Sequence, residues 1–210
     1  MSKASLNSEQ PKMSKTKLRL VQATLESLMA EGIEGCSVRK ISERAKVSTG
    51  LINYHYPTIN HLVADAYTHL SLRFLNSAIE LSAAYKDRPR QQATVFLNAI
   101  FAEDVMQRNV LRAWVVFWGL IDATPEMQTA HKDSNKAFNA YLESMFKALG
   151  TTNQKLSPSS QKLSPKMAAS GLSAMIDGLW LEWCLQTDSF TCTECIQICE
   201  HWVDSLHQAK

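Results

Sequence analysis

Glycine is scarce in this chain, at seven of 210 residues. No segment alternates apolar and polar residues for long enough to argue a β-sheet. No apolar run approaches the roughly 18 to 20 residues that a membrane span requires. The first residues, MSKASLNSEQPKMSKTK, are polar and lysine-rich, unlike a secretory signal. The expected compartment is therefore the cytoplasm, with the five cysteines, an odd number, kept as thiols. A large charge of one sign is also missing: the formal net charge is +2, which excludes a polycation. There is no phosphate-cradling glycine loop, no HExxH and no convincing nucleophile–base pair, so the residues do not read as an enzyme, and no cofactor is expected.

Helical periodicity fills the space these absences leave. Three–four spacing of Leu18, Val21, Leu25, Leu28 and Met29 predicts a helix from Lys15 to Glu31, stopped by Gly32. A long helix capped by Thr58 carries Leu62, Ala66, Leu70 and Leu81, and Lys86–Arg90 reads as a loop. Further helices are expected over Ala93–Met106, Asn109–Asp122, Thr124–Leu149, Pro165–Gln186 and Thr191–His207. The expected fold class is all-α, with about nine helices. Residues 1–14 read as a disordered tail, 15–61 as a small DNA-binding head, and 62–210 as a ligand-binding and dimerisation body. Between residues 150 and 165, Gln154-Lys-Leu-Ser-Pro158 is repeated as Gln161-Lys-Leu-Ser-Pro165, which reads as a loop insertion.

Charge is unevenly spread. Residues 1–60 hold nine Lys/Arg against five Asp/Glu, while the remainder holds thirteen against fifteen. Within the basic quarter, Ser37–Tyr56 reads SVRKISERAKVSTGLINYHY, two short helices joined by a tight turn. Val38, Ile41, Ala45, Val47, Leu51 and Ile52 supply the apolar face, and Ser37 and Ser48 are placed to cap the two helix starts. Arg39, Lys40, Arg44, Lys46, Thr49, Asn53, Tyr54 and His55 then fall on exposed faces, as donors to phosphates and base edges. Small residues Thr49 and Gly50 allow the second helix to approach a DNA backbone, where its dipole favours phosphate. Asn53 can pair with adenine and Arg39 with guanine, while Lys46, Tyr54 and His55 suit phosphate; Leu51 can touch a thymine methyl or pack. The same pattern also describes two amphipathic helices with a solvated basic face.

The run AKVSTGLINYHYPTINHLV resembles the recognition-helix signature of TetR-type transcriptional regulators. That resemblance implies that Arg39 and Ser48–Asn53 face bases, that Tyr54 and His55 lie near the backbone, and that Tyr56 is core. The family often has a phosphate-reaching lysine where this chain has Ile59, so Lys15 and Lys17 are expected to substitute for it.

Four of the five tryptophans lie in two segments, Leu111–Trp118 and Met175–Trp183. Trp114 and Trp118 are one helical turn apart, and Asp177 and Glu182 accompany Trp180 and Trp183. Aromatic faces with a nearby carboxylate suit a quaternary ammonium; tryptophans at helical spacing equally suit a core. The segments RAWVVFWGL and AMIDGLWLEW are similar to the body of the BetI-type, choline-responsive branch of the same family. What this resemblance implies is a repressor that binds a palindromic operator in double-stranded DNA as a homodimer, through its last two helices. Choline or a related quaternary ammonium would release it. Phe101, Trp114, Trp118, Asp177 and Trp180 are the expected pocket residues, with Phe117, Tyr141 and Trp183 next. An unrelated hydrophobic effector, and a helical adaptor that binds no DNA, stand as alternatives. Cys192, Cys195 and Cys199 share a helix face near His201, as small apolar residues at the dimer seam or, less simply, as metal ligands.

Overall fold

A computed structural model describes residues 13–150, 154–155, 162–186 and 190–207. The elements in chain order are α1 (Lys15–Glu31), α2 (Val38–Ala45), α3 (Thr49–His55), α4 (Ile59–Ser82), α5 (Pro89–Ile100), α6 (Arg108–Leu120) and α7 (Pro125–Ala148). They continue as β1 (Gln154–Lys155), β2 (Lys162–Leu163), α8 (Pro165–Leu185) and α9 (Cys192–His207). The fold is all-α among the described residues apart from β1 and β2, which pair antiparallel with Gln154 opposite Leu163. That pair was not expected. It joins the start of one QKLSP copy to the second, and the rest of the insertion and residues 1–12 lie outside the described residues.

Short polar residues start most of these helices. Ser14, Ser37, Ser48, Thr124 and Ser164 each accept a hydrogen bond from the amide three residues on, at 3.2–3.3 Å. Ser14 is thus the cap of α1 and not part of a tail. At α9, Thr191 and Glu194 form a reciprocal capping box, with Glu194 N donating to Thr191 Oγ1 at 3.1 Å and Thr191 N donating to Glu194 Oε2 at 2.8 Å. Pro89, Pro125 and Pro165 occupy first-turn positions, where a missing N–H costs nothing. Pro89 therefore starts α5 four residues before the expected Ala93. Thr58 occupies the cap position of α4, but its hydroxyl meets His61 Nδ1 at 2.9 Å instead of capping a backbone amide.

The expected helix through Met106 ends early, at Ile100. Phe101 is fully buried, and the chain turns there so that Val105 and Met106 can also reach the core. Burial of three large side chains outweighs the helix propensity of a segment with no breaker residue.

Helices α1 to α3 form the head around Leu28, Ile41, Ala45, Ile52 and Tyr56. Helix α4 begins in the head and runs 24 residues into the body, crossing the expected boundary at residue 61 without a break. There it packs on α5 and α7, while α7 packs on α8 and α8 on α9. Gly35 permits one close approach: a Cβ there would lie 2.4 Å from the Ser27 carbonyl oxygen.

Candidate functional site

The turn between α2 and α3 is set by Lys46, which adopts φ 52° and ψ 50°. Its N–H donates to Glu43 O at 3.1 Å, and Val47 N–H donates to Ser42 O at 3.0 Å, closing α2 in a left-handed cap. Among the described residues Lys46 alone, other than glycine, has a positive φ. The turn swings α3 so that Ile52 points into the head and Asn53 and Tyr54 point out. Tyr54 is 82% exposed, a large aromatic with no apolar cover, and its ring meets the His55 ring edge-on at 5.1 Å. Thr49 and Gly50 are exposed at the amino-terminal turn of α3, Leu51 and His55 are half-buried, and Tyr56 is core, its hydroxyl donating to Asp65 Oδ2 at 2.9 Å.

The basic side chains divide into two sets. Arg39 is solvent-exposed, with only a 3.8 Å contact to exposed Glu43. Lys40 and Arg44, expected on the exposed donor face, instead pair with Glu31 at 2.6 and 3.0 Å. Hydrogen bonding from Lys40, with Arg44 assisting, holds the Glu31 carboxyl below its ordinary pKa. Their charge is spent fixing α2 to the end of α1. Lys17 is also engaged, with its ammonium 4.8 Å from the centre of the Tyr56 ring. Lys15 is exposed on the first turn of α1, and Ile59 is half-buried at the start of α4.

In the body, α4, α6, α7 and α8 enclose a cavity with about 80 Å³ of water-accessible space. Trp114, Trp118, Asp177 and Trp180, all singled out in the sequence, line it. Trp114 is the hub: its ring centre lies 5.7 Å from Trp180, 6.4 Å from Trp118, 5.9 Å from Phe74 and 5.7 Å from Tyr67. Asp177 is exposed by surface area, yet enough protein surrounds its carboxyl to push the pKa up to about 6. In the same lining, the Tyr67 hydroxyl and His131 Nδ1 meet at 2.9 Å. Burial lowers the His131 pKa, against the pull of Asp122, and burial pushes the Tyr67 hydroxyl up to about 12. Among the described residues, the indole N–H groups of Trp114 and Trp180 and the Ser134 hydroxyl are buried without a hydrogen-bond partner.

Four expected pocket residues do not line this cavity. Phe101 and Phe117 are fully buried core, Phe117 standing behind Trp114 and Tyr67. Tyr141 stacks on Phe96 at 4.8 Å, and its hydroxyl lies 3.1 Å from Ser82 Oγ. Trp183, three residues beyond Trp180 on α8, is half-buried outside the cavity lining. A tryptophan count cannot separate a cavity wall from its surroundings. The residues missed are on α4 (Tyr67, Ser71, Phe74) and α7 (His131, Ser134, Phe138). On both helices they recur at three- and four-residue spacing, a polar–aromatic stripe that periodicity could have picked out.

Cys195 and Cys199 are buried against the body's own core, not turned outward, and burial pushes their thiols up to about 11 and 12. Among the described residues no group of three His, Cys, Asp or Glu side chains is placed to hold a metal ion. No described helix is long and apolar enough to cross a membrane.

A capped helix-turn-helix head whose last element runs into a helical body with a cavity defines the class of ligand-regulated DNA-binding proteins. Residues 20–66 match the family of bacterial regulatory proteins designated tetR, and residues 89–208 match the C-terminal domain of BetI-type transcriptional repressors. The chain belongs to the TetR family of transcriptional regulators, which is not an enzyme family, and carries a BetI-type C-terminal domain. The HTH-type transcriptional regulator BetI of Burkholderia thailandensis is 24% identical over 200 residues, spanning 93% of this chain and 97% of that protein. A transcriptional regulator from Pseudomonas aeruginosa PAO1 superposes with a TM-score of 0.74 at 32% identity, covering 97% of this chain and 95% of the other. A regulator from Saccharomonospora viridis, crystallised in complex with choline, has the same fold (TM-score 0.72, 14% identity, 91% of this chain and 97% of that one).

Proposed function

We propose that this protein is a dimeric repressor released from its operator by a small cationic effector of the choline type. The observation that carries the reading is the cavity: Trp114, Trp180, Phe74 and Tyr67, in mutual ring contact, line a space whose one lining carboxylate is Asp177. Ring quadrupoles and a carboxylate in a partly dry site attract a quaternary ammonium, which cannot donate hydrogen bonds and is cheap to desolvate. The complex of choline with the Saccharomonospora viridis regulator supports the same chemistry.

At the other end, Arg39 and the exposed residues of Ser48–Asn53 read base edges, while Ser37, Lys46, Tyr54 and His55 hold phosphates and set register. Two heads joined through α8 and α9 of each subunit present two recognition helices to successive major grooves, roughly 34–36 Å apart, so the operator is palindromic. Helix α6, which supplies Trp114 and Trp118, also packs on α1 and on the Gly32–Gly35 turn. A ligand that shifts α6 therefore acts on the head through direct contact, as well as along α4. Couplings of about 1–3 kcal/mol suffice to change occupancy.

Selection from random duplexes followed by titration with choline tests both halves. A palindromic site whose affinity falls as choline saturates the protein is the expected result. No enriched site removes the repressor reading; an enriched site indifferent to choline, with no heat in calorimetry, removes the effector.

A further inference from the structure

A second cavity, of about 100 Å³, lies at the joint between head and body. The head contributes Ile33, from the Gly32–Gly35 turn, and Cys36 just beyond it. Ile59 and Val63, four residues apart on one face of α4, form a second wall. Leu120, the last residue of α6, and Met127, in the first turn of α7, close it from the body. Protein interiors leave few voids larger than a water molecule, so a space of this size between packed elements is unusual.

The chemistry of this wall is the reverse of the tryptophan cavity. Among the described residues no charged side chain lines it. Thr124 also lines it, but its hydroxyl is spent as the cap of α7, accepting from Met127 N at 3.3 Å. Burial pushes the Cys36 thiol up to about 11, so the sulfur is uncharged at neutral pH. A cation gains nothing from such surroundings, whereas an apolar molecule leaves water at little cost. Ile33 lines the cavity and still keeps 52% of its surface exposed, which leaves apolar area for an occupant to cover.

We propose that this cavity is a second ligand site, for a small uncharged apolar molecule of the bulk of a benzene ring, and that its occupant braces the head against the body. A dry cavity of about 150 Å³ lined by aliphatic and aromatic side chains takes benzene, and the joint is of the same order. The occupant would touch the head turn, the start of α4 and the end of α6 together. It therefore stabilises the joint as it stands against any arrangement in which α6 has moved relative to the head. Its direction of action, though not the site, rests on the cation-responsive reading above, in which the effector acts on the head by shifting α6. The apolar molecule then opposes the cation, and by reciprocity each weakens binding of the other.

The test uses the full chain with benzene as the probe. In a methyl-labelled NMR titration, benzene is expected to shift the methyls of Ile33, Ile59, Val63 and Met127. No shift at these positions overturns the site. Saturating benzene is expected to raise the choline Kd by about fivefold in calorimetry, and to raise by as much the choline needed to release the operator. Methyl shifts with neither change overturn the brace. Cys36→Leu fills the cavity, and circular dichroism checks that its helices persist; both the shifts and the effect on choline should vanish. An effect on choline that survives in Cys36→Leu means that benzene competes in the tryptophan cavity, and it overturns the proposal. If that variant does not fold, Ile33→Ser, at a residue half in water, is expected to weaken benzene binding severalfold, and unchanged binding overturns the site. A wild-type chain that gives no heat with choline removes the cation reading alone; the joint methyls and the response of operator affinity to benzene still decide the second site.

Discussion

The Asp177 carboxyl gives the cation reading a distinctive pH signature. Burial raises its pKa from the ordinary carboxylate range to about 6. At pH 7 roughly nine-tenths of the protein then carries the negative charge, and at pH 5 roughly one-tenth. A quaternary ammonium has no titratable proton, so the protein alone sets the pH dependence of its binding. If only the ionised form binds, the choline Kd rises roughly tenfold between pH 7 and pH 5. Asp177→Asn removes the charge at every pH. With one side open to solvent, the lost attraction is about 1–2 kcal/mol, so the variant binds about five- to thirtyfold more weakly at pH 7. The two proteins converge near pH 5. His131, in the same lining, gains positive charge in acid and acts in the same direction, but burial holds its pKa below the ordinary value. Any slope left in Asp177→Asn measures that residue. The sign for stability is separate. An acid whose folded pKa is raised favours the folded state below its unfolded pKa, near 4, and loses that contribution as pH rises toward 6. Ligand-free Asp177→Asn is therefore expected to melt above wild type at pH 7 and level with it at pH 4. Calorimetry from pH 5 to 8 and thermal melts provide both readouts. A wild-type Kd flat across that range, or an identical slope in Asp177→Asn, refutes the role of this carboxylate.

Lys46→Gly relieves a left-handed backbone at a non-glycine residue; thermal stability should rise by about 0.5–1 kcal/mol while operator affinity and its salt slope both fall, which pairs a melt with a filter-binding titration. Trp114 and Trp180 are each only 6% exposed, so truncation to alanine costs about 3–5 kcal/mol and confounds any binding assay. Trp114→Phe keeps a ring and deletes an unpartnered indole N–H; stability should stay within about 1 kcal/mol while choline affinity drops about two- to fivefold by calorimetry. Arg39→Ala leaves the fold unchanged, since the side chain is largely in solvent, and should cost about 1–3 kcal/mol of operator binding with relaxed selectivity at one base position. Gly35→Ala drives a methyl into the Ser27 carbonyl and should lower the melting temperature with no change in choline affinity per folded molecule.

The amino-acid sequence by itself determined the local features. Helix starts follow from single side chains reaching amides three residues away, so Ser37 and Ser48 could be read directly as caps, whereas Thr58, read the same way, meets the His61 side chain instead. The helix-turn-helix was legible because its apolar spacing, caps and exposed donors all fall within twenty residues. The tryptophan segments marked α6 and α8 as cavity walls for the same reason. Only the tertiary structure decided which charges are free and which aromatics face space. Lys40 and Arg44 look available until Glu31, at the far end of another helix, takes both. Phe101 and Tyr141 have the chemistry of a cage but pack into the core. Tyr67, Phe74 and His131, from two helices without a tryptophan, complete the cavity. Periodicity defines a face within one helix, whereas a cavity is a space between four helices, and their relative rotation is set by packing contacts far apart in the chain.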